Sequence, residues 1–229
     1  MKCWICGDEG ADTREHRTKA SDLRSVFGVP TQGDPLYLHT AQRRNIKVGS
    51  LKADVLKFKH RICLSCNSAR TQPHDRAWEL LSAALRSRNL SISPGQTLRF
   101  NRIFPHDTRR EMCNVHLYFV KVFGCQIADG DIPIDIAPFA RAILEEKPHP
   151  NLYLSFGRMA ALPTSIAGAS DVHAELLNGQ VAFTSWFYQI DDLSVNVMFA
   201  VPGEQRQGLA NAWHPSLDAK RLTFKAFGK

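Results

Sequence analysis

Two CxxC pairs, Cys3/Cys6 and Cys63/Cys66, constrain this chain more than any other feature. Thiolates delivered two at a time from tight turns are the ligand pattern of a closed tetrahedral zinc site, so the spacing predicts a structural Zn2+ held by all four cysteines. The 56 residues between the pairs exceed a simple zinc ribbon, so the loop must hold something else. The dipeptide Glu15-His16, after the first pair, is the best candidate, and Asn67 follows the second pair directly.

Charge follows the cysteines. Residues 1–76 carry 14 Lys/Arg against 8 Asp/Glu, a balance of +6, whereas residues 77–229 carry 15 against 14. A basic surface beside a metal knuckle suits a phosphate polyanion, although a merely solvated basic face would have the same composition. Arg43, Arg44, Lys47, Lys57, Lys59 and Arg61 form the expected phosphate-tracking surface, and Arg70 and Arg76 flank His74. No apolar run approaches the roughly 20 residues of a membrane span, and the start MKCWICGD lacks the apolar region of a secretory signal. Six cysteines, four of them in metal spacing, fit a reducing compartment, so a cytoplasmic protein is expected. Cys113 and Cys125 read as core thiols.

The chain divides by texture. Residues 1–27 read as a knuckle, a short strand and a helix at 21–27 with Ser21 as N-cap, ended by Gly28 and Pro30. Residues 29–50 read as an ordered insertion or a mobile loop, and 55–62 as a strand entering the second knuckle. A helix is expected at 75–87, capped by Asp75, with Leu80, Leu81, Ala84 and Leu85 on its apolar face. A Ser/Asn/Pro/Gly-rich boundary at 87–96 separates a domain at 1–90 from one at 97–229. The second reads as helices at 107–127 and 134–146, then strands at 152–156, 172–177, 181–190, 193–201 and 222–227. Asn178-Gly179 signals a type I′ hairpin and Asp191-Asp192 another tight turn. The fold class is therefore α+β, a zinc-stapled N-terminal domain followed by helices and an antiparallel sheet.

Strand, loop and helix around a Glu-His, with knuckles pinning both ends, is a layout suited to phosphodiester hydrolysis. That chemistry needs a general base for water and a divalent ion beside the leaving oxygen. The segments C3-W-I-C6, T13-R-E-H16 and C63-L-S-C66-N67 resemble the zinc-stapled branch of the HNH endonuclease superfamily, over residues 1–80. The resemblance implies a ββα-metal domain that cuts nucleic acid, most simply DNA, with Mg2+ or Mn2+. It makes His16 the general base, and Glu15 and Asn67 ligands of the catalytic ion. His74 is a further ligand or a phosphate contact. Where many relatives carry a middle Asn before the second pair, this chain has Lys57-Phe58-Lys59-His60-Arg61, and His60 could substitute. Residues 97–229 would recognise a target, form a homodimer or regulate the enzyme.

Each residue also has a plainer reading. Glu15 could pair with Arg14 or Arg17, His16 could lie on a basic hairpin surface, Asn67 could cap the knuckle, and His74 could be structural. His60, His106, His116, His149, His173 and His214 show no partner spacing and read as solvated or core residues. The competing function is a non-catalytic, zinc-organised nucleic-acid-binding protein, and a third is an interaction adaptor. No GxSxG, P-loop or GxGxxG signature is present.

Overall fold

The first knuckle closes on itself. Gly7 N donates to Cys3 O at 2.8 Å and Cys3 N donates to Asp8 O at 2.7 Å. The turn needs Gly7 at φ 78°, where a side chain would be strained. The chain then enters strand β1 (Ala11–Thr13) and helix α1 (Ala20–Phe27), which ends at Gly28 with φ 75°. Strands β2 (Leu36–Leu38) and β3 (Ile46–Val48) form a hairpin inside the segment read as an insertion or mobile loop. A 3-10 turn at Asp54–Leu56 leads to β4 (Ile62–Cys63), the short helix α2 (Leu64–Asn67) and helix α3 (Gln72–Arg86). This computed structural model describes residues 1–87, 92–159 and 164–228. Residues 88–91 of the expected boundary lie outside the described residues.

β1 and β4 pair antiparallel, with Ala11 opposite Cys63 and Thr13 opposite Ile62. Pairing resumes further along, where His16 faces Lys57, Arg17 N donates to Leu56 O at 2.9 Å and Phe58 N donates to Glu15 O at 2.9 Å. The expected strand at 55–62 is not continuous. Lys59 N and His60 N donate instead to Asp129 Oδ1, at 2.6 and 2.8 Å, so a carboxylate takes the place of a strand partner.

After β5 (Thr97–Arg99) comes helix α4 (Thr108–Asp129), capped by Asp107, whose side chain accepts from Arg110 N at 3.3 Å. Helix α5 (Ala137–Leu144) follows, then β6 (Leu152–Met159), β7 (Ala167–Ala169), β8 (His173–Leu177), β9 (Gln180–Ile190) and β10 (Leu193–Ala200). A short helix α6 (Gln207–Ala210), β11 (Arg221–Thr223) and β12 (Lys225–Phe227) complete the chain, a mixed α+β fold. The main sheet runs β12-β6-β10-β9-β7, with β8 also on β9. It is antiparallel except where β12 joins β6. Asn178 and Gly179, at φ 52° and 79°, make the expected I′ turn between β8 and β9. The expected last strand is two strands: β11 pairs with β5, and the chain changes sheets at Phe224 to put β12 on β6.

α4 is the hub. Its sequence suggests one apolar side, yet nearly every residue from Met112 to Cys125 is buried. Phe119 packs edge-on against Phe156 and Tyr188 of the sheet and against Trp78 of α3. Phe123 packs against Trp186 and Phe139. The first cysteine knuckle leans on the same helix at Gly124, where a Cβ would overlap the Trp4 ring. Residues from both sides of the expected domain boundary, Cys3 to Phe224, thus belong to one contiguous buried cluster.

Two expected caps are used otherwise. Helix α1 begins after Lys19, and Ser21 sits within it, donating through Oγ to Glu79 Oε1 at 2.9 Å. Helix α3 starts at Gln72 with Pro73 in its first turn, where a missing N–H costs nothing. Asp75 is left to make an ion pair described below, and Leu80 is exposed while Ala77, Trp78, Leu81 and Leu85 are buried. Asp22 of α1 is buried and ties three elements. It accepts from Trp78 Nε1 at 2.8 Å, Tyr188 OH at 2.7 Å and Ser82 Oγ at 3.3 Å. Burial pushes its carboxyl up from the usual range, and the Tyr188 and Trp78 bonds offset part of that.

Candidate metal centre and active site

The four cysteine Sγ atoms lie within 4.8 Å of one another, with Cys6 and Cys63 at 3.6 Å. Four sulfurs at about 2.3 Å from a tetrahedral Zn2+ stand about 3.8 Å apart, so the cluster has the right size for that ion. All four are free thiols rather than disulfides. Cys3, Cys63 and Cys66 are buried. Burial first, then the Cys63 and Cys6 thiols, pushes Cys66 up, so negative charge here calls for a cation. Among the described residues this is the one group of three or more ligating side chains close enough to share an ion.

The staple aligns three of the sequence candidates. Glu15 and His16 lie where the ribbon faces 56–58, and Asn67 ends α2, immediately after the knuckle. Asn67 Nδ2 donates to Arg14 O at 3.5 Å, which places its side chain against the Glu15-His16 segment. His16 is half-buried, and its Nε2 lies 2.9 Å from Leu51 O. A carbonyl oxygen can only accept, so Nε2 is the donor, and in a neutral imidazole the lone pair is then on Nδ1.

Glu15 does not pair with Arg14 or Arg17, its nearest basic neighbours. Arg14 reaches Asp54 at 3.3 Å, and Arg17 pairs with Asp129. Glu15 Oε1 accepts from His16 N at 3.0 Å, and its Oε2 meets Lys121 Nζ at 2.6 Å. Lys121 comes from the middle of α4 and is fully buried. It also donates to Asp75 Oδ1 at 2.8 Å and Thr71 Oγ1 at 3.4 Å. Burial alone would lower its pKa, but Glu15 and then Asp75 more than offset this and raise it. Sequence reasoning had no signal for this residue beyond a lysine in an apolar helix.

Replacing Lys121 by Met would leave two largely buried carboxylates without their cation. The expected cost is about 3–5 kcal/mol, read as a lowered denaturant midpoint. A cost under about 1 kcal/mol, the scale of a surface pair, would contradict that assignment.

His74 is buried, with Nδ1 donating to Asn114 Oδ1 at 3.1 Å on α4. Burial lowers its pKa, and the Asn114 hydrogen bond offsets part of that. His60 contributes its backbone to Asp129. Of the expected basic surface, Arg43, Arg44, Lys47, Lys59, Arg61, Arg70 and Arg76 are exposed, while Lys57 is half-buried and 3.7 Å from Asp54. Three histidines without partner spacing share a buried corner. His116 stands 5.1 Å from His214, whose Nε2 donates to His149 O at 3.0 Å. Burial, then His214, holds His116 down to about 3 and His149 to about 4, so both are neutral near pH 7.

No helix among the described residues is long and apolar enough to cross a membrane. No protein-family model, curated protein or solved structure matches the chain, so its chemistry rests on the residues above.

Proposed function

We propose that this chain is a metal-dependent endonuclease of the HNH type, hydrolysing phosphodiester bonds in DNA from the ribbon between its two knuckles. The observation that carries the reading is the contact between His16 Nε2 and Leu51 O, which assigns Nδ1 as the ring nitrogen that would accept a proton. In this reading Nδ1 takes a proton from water as the water attacks phosphorus. Mg2+ or Mn2+, when bound, would stabilise the charge growing on the phosphate and the leaving oxygen.

The oxygen donors fit such an ion unequally. Asn67 Oδ1 has no hydrogen-bond partner among the described residues, and a hard carbonyl oxygen suits Mg2+. Glu15 could contribute only lone pairs that Lys121 and His16 N leave over. Wild-type protein is expected to nick or linearise supercoiled plasmid only when Mg2+ or Mn2+ is added. Asn67→Ala should need about tenfold more ion or more for the same rate. Cleavage without added divalent ion, or an ion requirement that Asn67→Ala leaves unchanged, would contradict the assignment. The engagement of both Glu15 oxygens favours the non-catalytic nucleic-acid-binding alternative. Salt-sensitive DNA binding with no product under any divalent ion would favour it over the nuclease.

A further inference from the structure

The β2–β3 hairpin has two unlike faces. Leu36, Leu38 and Val48 sit on a small core with Leu23, Phe27, Leu51 and Leu56, which anchors the hairpin base to α1 and the 3-10 turn. The other face turns Tyr37 and Lys47 outward, directly opposite one another in register. Beyond the last pair, residues 39–45 are all exposed. Thr40 N donates to Arg43 O at 2.7 Å and Arg43 N to Thr40 Oγ1 at 3.0 Å, so the tip is a closed turn with Asn45 at φ 58°.

The charge on this arm is uncompensated. Between Asp34 and Asp54 the sequence has no acidic residue, while it carries Arg43, Arg44, Lys47 and Lys52. Among the described residues, Arg43, Arg44 and Lys47 enter no ion pair, whereas Arg14, Arg17, Lys19 and Lys57 all do. Exposed cations on a closed hairpin, without internal ion-pair partners, match an external polyanion.

We propose that the β2–β3 hairpin is a duplex-DNA arm, its tip lying in the major groove with Arg43, Arg44 and Lys47 on the flanking phosphates. A tip reaching about 10 Å past its last paired residues suits a groove about 12 Å wide and 8.5 Å deep, which admits a two-stranded ribbon. The major groove of A-form RNA is too narrow for it. The arm is also coupled to the candidate base. Three residues after β3, Leu51 offers the carbonyl that holds His16 Nε2, so the segment that grips DNA also orients the imidazole. This last link rests on the nuclease reading; the DNA contact itself does not.

The test is binding of full-length protein, without added Mg2+ or Mn2+, to a labelled 20-base-pair DNA duplex across a salt series. The single strand and the RNA duplex of the same sequence serve as comparisons. The triple variant Arg43→Ala/Arg44→Ala/Lys47→Ala alters only exposed side chains. It should weaken duplex DNA binding about 100-fold and reduce the salt slope by about 2 to 3, with under threefold change on the other two probes. Unchanged duplex affinity, equal losses on all three probes, or no wild-type binding to duplex DNA would each overturn the arm. Duplex binding that depends on the triple site in a protein that never cuts would leave the arm standing while the nuclease reading fails.

Discussion

Stripping zinc from this protein should abolish its cooperative unfolding transition or lower Tm by at least about 10 °C. The paired parts of the ribbon are only two or three residues long, too little to stand alone in water. Its order depends on the staple between Cys3, Cys6, Cys63 and Cys66. Structural zinc contributes an apparent 10–16 kcal/mol in small zinc domains, comparable with the 5–15 kcal/mol total stability of a typical fold. The loss should spread beyond the knuckle, because Cys3, Ile5, Phe58, Ile62 and Cys66 belong to the same buried cluster as α4 and the main sheet. Cys63→Ser should behave like chelation. One zinc released per chain, together with the collapse of the transition, is the expected result. A melt that chelation leaves unmoved would contradict the staple.

The second large effect concerns His16. A positioned general base typically contributes 10²–10⁴-fold, so His16→Ala should reduce cleavage by at least about 100-fold. Folding should be affected little. His16 is half-buried, and its contact with Leu51 O is a part-buried one near the surface residues Ser50 and Lys52 of the chain. Equal melting curves with a lost rate would separate this outcome from unfolding. Leu51 contributes through its backbone carbonyl, so exchanging its side chain does not replace this test.

The sequence revealed most where the signal is local. Paired cysteines, the Asn178-Gly179 turn and the helical run at 107–127 each announce their structure within a short stretch of sequence. What escaped it depends on contacts between distant segments. Lys121 looks like an ordinary charge in an apolar helix until folding places it between Glu15 and Asp75. The segment at 55–62 has strand character, but Asp129 captures the amides of Lys59 and His60 and bends it away. The β2–β3 hairpin is hidden among Gly, Pro and Gln because its strands are three residues long and gain their apolar support from α1. The Trp4 ring packs on Gly124, where α4 has room for it.

These contacts give α4 a role that the separate texture of residues 97–229 does not suggest. Lys121, Gly124 and Asp129 recur on one side of the helix and meet Glu15, Trp4 and the 59–60 loop respectively. At about 100° per residue, Gly124 lies about 60° to one side of Lys121 and Asp129 about 80° to the other, so the three share an arc of about 140°. The helix therefore holds the ribbon at Glu15 and the 59–60 amides and the knuckle at Trp4.

The most direct test of the account is cleavage of supercoiled plasmid with Mg2+ or Mn2+ by zinc-loaded wild type, run beside equally folded His16→Ala. Nicked or linear product from the wild type, with none from the variant over the same time, is the result the account predicts. Equal cleavage by both, or none by the wild type under either ion, would contradict a nuclease with His16 as its base.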